Sequence, residues 1–385
     1  MLNVRFFQTT PRMVIGPGCV AQLADEIRRL GAGKAFVVTD PGLVATGIVA
    51  RVEESLLSAG LVVDRFDSVE SDPRYEIATK AAESAQSFGA EVIIGIGGGS
   101  PLDIAKAASV LVTNEGSVNS FFGIDLLKQP GLPTILVPTT AGTGSEVTPI
   151  AILSDEAEKL KKGIVSPFLF PRTAFLDPEL TLGLPPGVTA ATGMDALIHA
   201  VEAYTSKNAS NLTDMAAVEA MSLIGHNIRK AFADGSNIEA RANMLEGSML
   251  AGMAFANAGV TAVHAFAYPI GAEFHIPHGI ANSIMLIPVM EFNMLANFSK
   301  FADMAEILGG DTEGLTDREG AFEAIEVLRD LSEDLQIPTA LSGYGITESD
   351  IPGLAAGVMK VTRLLANNPR QLTLSDAEAI YLKAL

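Results

Sequence analysis

The chain changes character near Leu182, and that change limits what it can fold into. Before it, short apolar runs alternate with amphipathic stretches: KAFVVTD at 34–40, a helical pattern through IVARVEESLLSAG, then LVVDRFD, a helical pattern through YEIATKAAESAQSFG, EVIIGIGGGS, a further helical pattern and TILVPTT. Continuous Val/Ile/Leu runs separated by helices mark βαβ units and a parallel sheet covered on both faces. After DPELTLGLPPG the strand signals stop, and helical patterns rich in alanine and methionine run almost to the end. The loop LGLPPG at 182–187 holds two prolines and two glycines and is the expected linker. The expectation is an α/β domain with a parallel sheet over residues 1–182 and an all-helical domain over 183–385.

Composition narrows the partners. With 48% hydrophobic and 18% charged residues over 385 positions, the chain can bury a large core and divide into two domains. Lys+Arg 26 against Asp+Glu 45 gives a net charge of −19, which repels phosphate backbones and anionic lipid headgroups, so neither nucleic acid nor a membrane surface is expected as a partner. A single cysteine, Cys19, excludes an internal disulfide, and MLNVRFFQTTPRMVIG lacks the pattern of a signal peptide, so a cytoplasmic setting is expected. The segment Gly247–Ala272 has no Asp, Glu, Lys or Arg and is long enough to span a bilayer. Asn257, Gly259, Thr261, His264 and Pro269 interrupt it, which favours a helix buried in a helical core instead.

Two strand ends in the first half have the form of ligand loops. In VIIGIGGGSPLDIAKA (92–107) an apolar strand ends in Gly97, Gly98 and Gly99, and a helix begins at once. Ser100 is expected as N-cap, Pro101 at N1 and Asp103 at N3, where a carboxylate reaches back to the cap. Three successive residues without Cβ let their amides and the helix N-terminus face a pyrophosphate. The second strand end, ILVPTTAGTGSEVT (135–148), supplies Thr139, Thr140, Thr143 and Ser145, hydroxyl donors suited to phosphate and ribose. Either loop alone reads equally well as a structural turn; two at the C-terminal ends of strands in one sheet favour a ligand crevice. Asp40 ends the strand AFVVTD, where a carboxylate accepts from ribose hydroxyls and repels a 2′-phosphate, predicting NAD(H) over NADP(H); an ordinary N-cap or turn aspartate is the other reading. GPGCVA at 16–21 has the spacing of a dinucleotide fingerprint but lies ahead of the first βα unit, and a turn into a helix is expected there.

Histidine is rare, five in 385 residues, yet His264, His275 and His278 all fall within TAVHAFAYPIGAEFHIPHGIAN at 261–282. TGMDALIHAVEAYTS at 192–206 puts Asp195 and His199 four residues apart on one helix face, where they either share an ion or hydrogen-bond in a core. Adding His264 on the uncharged segment and His278 in a loop beside Pro277 and Gly279 gives one carboxylate and three imidazoles. That donor set suits Fe2+, Zn2+ or another divalent transition metal, with room for a substrate oxygen. His226 in LIGHNIRKAF reads as packing, and Glu202, one turn past His199, as a support for the site or the helix.

Together, IGIGGGSPLDIAKA, VPTTAGTGSEVT, DPELT, GMDALIHAVEAYTS and PHGIAN, in this order and at these separations, resemble the iron-containing (group III) alcohol dehydrogenase family. The resemblance covers nearly the whole chain, from MVIGPG to NNPRQLTLSDAEAIY. It implies a fold of class α/β plus all-α: an N-terminal Rossmann-like dinucleotide-binding domain, a C-terminal all-helical metal-binding domain, and a cleft holding NAD and one Fe2+, or Zn2+ or another divalent ion. By position, the family's metal ligands fall on Asp195, His199, His264 and His278. Its cofactor contacts fall on Asp40, Gly97, Gly98, Gly99, Ser100, Thr139, Thr140 and Thr143, with Asp103 grouped among them and a lysine at Lys161 or Lys162, the spacing to Pro167 favouring Lys161. His275 has no ligand position and reads as packing, with lining of the cleft as the other reading, and a homodimer or higher homo-oligomer is expected.

The chemistry implied is hydride transfer between an alcohol, or a hydroxy acid, and nicotinamide, with a metal acting as Lewis acid. A hydroxyacid-oxoacid transhydrogenase, a 4-hydroxybutyrate dehydrogenase and a maleylacetate reductase are the alternatives within the family, and a dehydroquinate synthase-like lyase is the remote one. One departure bears on substrate. Many members carry HxxxHP where this chain reads HAFAYP, so Tyr268 stands where a second histidine would be. A phenol one turn from a ligand either packs or donates a hydrogen bond to a bound oxygen; Tyr268 and His275 form the candidate catalytic pair. A similar tyrosine in relatives resembling the transhydrogenases and 4-hydroxybutyrate dehydrogenases points to polar or carboxylate-bearing substrates beside simple alcohols.

Overall fold

A computed structural model describes residues 4–156 and 160–385. They form two compact units, one running from Thr9 to Gly183 and the other made of Leu184–Leu385 together with residues 4–8.

The strands described in the first unit are β1 (Met13–Ile15), β2 (Lys34–Val38), β3 (Val62–Phe66), β4 (Val92–Gly97), β5 (Gly123–Ile124), β6 (Thr134–Pro138), β7 (Ile150–Asp155), β8 (Leu160–Val165) and β9 (Thr173–Leu176). Six of them form one parallel sheet in the order β1-β9-β6-β4-β2-β3. Successive side chains on a strand point to opposite faces, and the apolar runs use both. Phe36, Val38 and Ile93 enter one core layer with Leu102 and Ala105, whereas Val37, Ile94 and Val137 enter the other with Val49, Val52 and Phe175.

This strand order reverses direction at β2 and β4. From β2 the chain passes to β3 at the edge, returns to β4 on the other side of β2, and then moves outward through β6 and β9. The helix Ile48–Ser58 after β2 packs in one core layer and the helix Gly99–Thr113 after β4 in the other. Crossovers that diverge to opposite faces leave a crevice at the C-terminal ends of the two strands between them. Asp40 follows β2 there, and Gly97 ends β4. A second sheet, β5-β8-β7, has β7 and β8 antiparallel. The sequence signals no strand at β1, β5, β7, β8 or β9, whose runs are short or half-polar and whose pairing is decided by neighbours.

The helical unit contains no strand among the described residues. Its central helix, Pro186–Thr205, is buried without interruption from Gly193 to Thr205. Pro186 opens it at N1, where a missing N–H is harmless. Neighbours approach closely: a Cβ on Gly193 would lie 2.7 Å from Ile228 and 2.8 Å from Met244.

Two expectations are corrected here. The single helix expected over Gly247–Ala272 is instead parts of two, Ile238–Ala258 and Ala262–Phe274, meeting at 101°. The break falls at Gly259, whose φ of 78° favours glycine and where a Cβ would collide with the Asn367 side chain. Asn367 donates to the Val260 carbonyl at 3.0 Å and the Ser206 hydroxyl to the Ala258 carbonyl at 2.7 Å, supplying partners that a broken helix end requires. His278, expected in a loop, is the first residue of the helix His278–Asn293, with Pro277 as its N-cap. Gly279 is required beside it, because a Cβ there would run into the Ala191 backbone of the central helix.

Candidate metal centre and nucleotide loops

The turn after β4 is built on backbone. Gly97 has φ 148°, and a Cβ there would sit 2.6 Å from Pro101 and 3.3 Å from Asp40 Oδ2; a Cβ on Gly99 would sit 2.7 Å from Thr143. At Gly98 the nearest atom, Thr140 Oγ1, is 3.5 Å away, so a side chain has room. The protein's own packing demands the outer two glycines but not the middle one. The helix begins at Gly99 with Gly98 as N-cap, two residues ahead of the cap expected at Ser100, so Ser100 and Pro101 lie inside the first turn.

Asp103 consequently caps nothing. Its Oδ1 accepts from the Ser145 hydroxyl at 2.6 Å and its Oδ2 from the Ile152 N–H at 2.9 Å. The Ser145 hydroxyl, expected as a ligand donor, is thus engaged within the protein. Lys106, fully buried, pairs with Asp103 at 3.1 Å and donates to the carbonyls of Ser145 and Ile150. Burial pushes its ammonium below the ordinary value against the pull of Asp103. These residues brace the loop after β6 against the helix of the glycine turn. Thr139 N–H donates to the Gly97 carbonyl at 2.9 Å, joining the two loops at their root; Thr139 is buried, while Thr140 and Thr143 are partly exposed.

Asp40 proves to be an N-cap, its Oδ1 accepting from Leu43 N–H at 2.9 Å, while Oδ2 is the oxygen nearest Gly97. The two lysines lie on β8, where Lys161 pairs with Asp72 at 2.6 Å and Lys162 with Asp155 at 2.8 Å.

In the helical unit, one oxygen of Asp195 and one ring nitrogen each from His199 and His264 lie within 4.8 Å of one another, all three residues buried. Asp195 and His199 come from successive turns of the central helix, and His264 from the first turn of Ala262–Phe274. His264 Nε2 lies 3.0 Å from His199 Nε2 and 3.8 Å from Asp195 Oδ1. The His199 ring stacks on Phe255 at 4.3 Å and on His264 at 4.6 Å. His278 approaches from a third helix, its Nε2 3.9 Å from Asp195 Oδ1.

Burial alone would raise the Asp195 carboxyl, but His199, His278, His264 and the Asn282 amide hold it below the ordinary carboxylate value. Burial would likewise depress His264, yet Glu202 and Asp195 raise it. Two imidazole nitrogens facing each other beside a carboxylate bring lone pairs together, an arrangement relieved by a cation or a proton among them. Two ligands each about 2.1 Å from one tetrahedral ion would stand about 3.4 Å apart, within a few tenths of an ångström of this separation. The donor set fits a divalent transition metal.

Tyr268, half-buried, stands one turn past His264 with its ring 6.2 Å from that of His278. His275 is exposed and turns the chain at the end of its helix, with φ 54°. His226 is exposed too, its Nδ1 2.8 Å from the Ser222 carbonyl.

Residues 10–178 match the iron-containing alcohol dehydrogenase model, and residues 189–385 the C-terminal model of the Fe-containing alcohol dehydrogenase family. The chain belongs to the iron-containing alcohol dehydrogenase family. It is 43% identical to the sulfoacetaldehyde reductase of Bilophila wadsworthia over 94% of each chain. It is 44% identical to long-chain-alcohol dehydrogenase 1 of Geobacillus thermodenitrificans over 96% of this chain and 94% of that one. Its fold matches the crystal structure of 1,3-propanediol oxidoreductase with a TM-score of 0.97 and 39% identity, covering 100% of both chains. As a member of the iron-containing alcohol dehydrogenase family, it is a metal-dependent, NAD(H)-linked alcohol dehydrogenase or aldehyde reductase.

Two further residues of this family member contact the cluster. Asn282 donates from Nδ2 to Asp195 Oδ1 at 2.7 Å and lies 3.2 Å from His278 Nε2; its position four residues past His278 on one helix face was the available signal. Glu202 faces His264 Nδ1 at 2.5 Å. A glutamate inside an otherwise apolar helix, one turn past a candidate ligand, was its signal.

Proposed function

We propose that Asp195, His199, His264 and His278 hold one divalent ion, Fe2+ with Zn2+ as the alternative, and that the enzyme interconverts a short polar alcohol and its aldehyde with NAD(H). The buried convergence of Asp195, His199 and His264 carries this reading. Bound there, the ion supplies Lewis acidity toward the substrate oxygen while NAD(H) accepts or returns the hydride. The amides around Gly98, the start of the helix Gly99–Thr113 and the hydroxyls of Ser100, Thr139, Thr140 and Thr143 hold the cofactor phosphates and ribose; Asp103 acts through the loop it braces. Asp40 keeps an oxygen for a ribose hydroxyl and disfavours a 2′-phosphate, and Lys161 exchanges Asp72 for the cofactor. Tyr268 donates a hydrogen bond to a substrate oxygen, which favours polar substrates; His275, exposed, serves at most at the rim. A cytoplasmic homodimer is the expected setting, and one cysteine in 385 residues suits a reducing compartment.

The test is a panel of short alcohols, diols, hydroxy acids and long-chain alcohols with ion-loaded protein, run with both cofactors and with Tyr268→Phe. NAD(H) should exceed NADP(H) about tenfold or more in kcat/KM, and Tyr268→Phe should lose about tenfold on polar substrates, as for one hydrogen bond of about 1.4 kcal/mol. Equal use of the two cofactors removes the role given to Asp40, and unchanged Tyr268→Phe kinetics removes that given to Tyr268.

A further inference from the structure

We infer that Glu202 is a positioning residue that fixes the tautomer of His264, keeping the ring proton on Nδ1 and leaving Nε2 bare toward the ion; this rests on the metal-centre reading above. Glu202 is fully buried on the central helix. Its Oε1 accepts from the Thr261 hydroxyl at 2.5 Å and from the Val263 N–H at 2.7 Å, and its Oε2 faces His264 Nδ1 at 2.5 Å. Thr261 is the N-cap of the helix carrying His264, and Val263 lies in its first turn. One carboxylate therefore closes that helix start and grips the ring three residues on. A carboxylate only accepts, so in the neutral ring the shared proton belongs to Nδ1. The remaining nitrogen, Nε2, is the one 3.0 Å from His199 Nε2 and 3.8 Å from Asp195 Oδ1.

Capping alone does not require a charge here. A glutamine could keep its carbonyl oxygen on Thr261 and Val263 and turn its NH2 toward His264. Nδ1 would then have to accept, and the ring proton would move to Nε2, the tautomer that cannot ligate. The opposite amide orientation sets NH2 against the Val263 N–H and uncaps the helix. Glu202→Gln thus separates support of the helix from control of the ring.

The experiment uses the full chain stripped of metal, with 15N-labelled histidine observed by NMR at alkaline pH, where the rings are neutral; five histidines make assignment tractable. His264 should carry its proton on Nδ1 in the parent and on Nε2 in Glu202→Gln. Zn2+ affinity, measured by chelator competition, should fall roughly ten- to a hundredfold in the variant. Thr261→Val, which removes a donor from the same carboxylate without touching the ring proton, should bind Zn2+ as the parent does to within about twofold. A parent ring protonated on Nε2, undiminished Zn2+ affinity in folded Glu202→Gln, or an equal loss in Thr261→Val each overturns the inference. The parent spectrum decides if Glu202→Gln fails to fold. A parent that shows the Nδ1–H tautomer but binds no Zn2+ removes the metal-centre reading instead.

Discussion

Each unit buries carboxylates, and burial has opposite results in the two. In the α/β unit, Glu146 lies buried in the loop after β6, its Oε1 has no hydrogen-bond partner among the described residues, and burial pushes its carboxyl up to about 7 against its own amide and Lys106. In the helical unit Asp195 is as deeply buried yet held below the ordinary value, because three imidazoles and an amide surround it. Company, not depth, decides the charge state. In the α/β unit the ligand contacts proposed above come from backbone, through glycines and a helix start, while its buried side chains, Asp103 and Lys106, satisfy one another or the loop. In the helical unit the proposed contacts come from side chains, three of which converge within 4.8 Å. Polar groups paired with one another across a loop are scaffold; a buried carboxylate and imidazoles drawn together from separate helices are the set proposed to hold a cation.

The comparison breaks most easily at its charged end. Asp195→Ala removes the only carboxylate of the cluster and should lower kcat/KM by on the order of a thousandfold or more while leaving the fold intact, because Lewis-acid assistance amounts to several kcal/mol. Near-parent turnover would mean the cluster is core packing. On the backbone side, Gly97→Ala should destabilise by about 2–4 kcal/mol, read in denaturant unfolding, since a Cβ there meets Pro101 and φ 148° is strained for an L side chain. Gly98→Ala should unfold like the parent yet weaken NAD+ binding about tenfold. Equal effects of the two variants would deny that Gly98 is reserved for a ligand.

The pH dependence of stability turns on Glu146. Its unfolded carboxyl ionises near 4.5 and its folded one about 7, so between those values the folded state holds a proton that the unfolded state has released. The stabilisation is full below about 4.5 and is lost as pH rises through about 7, by up to about 3 kcal/mol. Glu146→Gln should flatten that decline between pH 5 and 8. A parent that gains stability over the same range contradicts it.

What the sequence disclosed follows the same division. Strands β2, β3, β4 and β6 and the helices between them were legible because continuous apolar runs and period-3.6 patterns are local. Asp195, His199, His264 and His278 were legible because rare residue types at helical spacing stand out in an apolar chain. The break at Gly259 was not, since Asn367, 107 residues from Val260, determines it. The cap at Gly98 was not, since the contact of Gly97 with Pro101 and of Gly99 with Thr143 sets the turn in three dimensions. His278 looked like a loop residue because Pro277 and Gly279 are both loop signals; Pro277 instead caps a helix, and Gly279 makes room for Ala191. Asp103 looked like a capping carboxylate and Ser145 like a ligand donor until tertiary structure paired them.

The central claim is that the buried cluster of Asp195, His199 and His264, joined by His278, holds one catalytic divalent ion. Metal content per chain, measured together with turnover before chelation, after it and after adding back Fe2+ or Zn2+, tests this most directly. One ion per chain is expected, with activity lost on its removal and regained on its return, and no ion retained by Asp195→Ala. Full activity in the ion-free protein would contradict it.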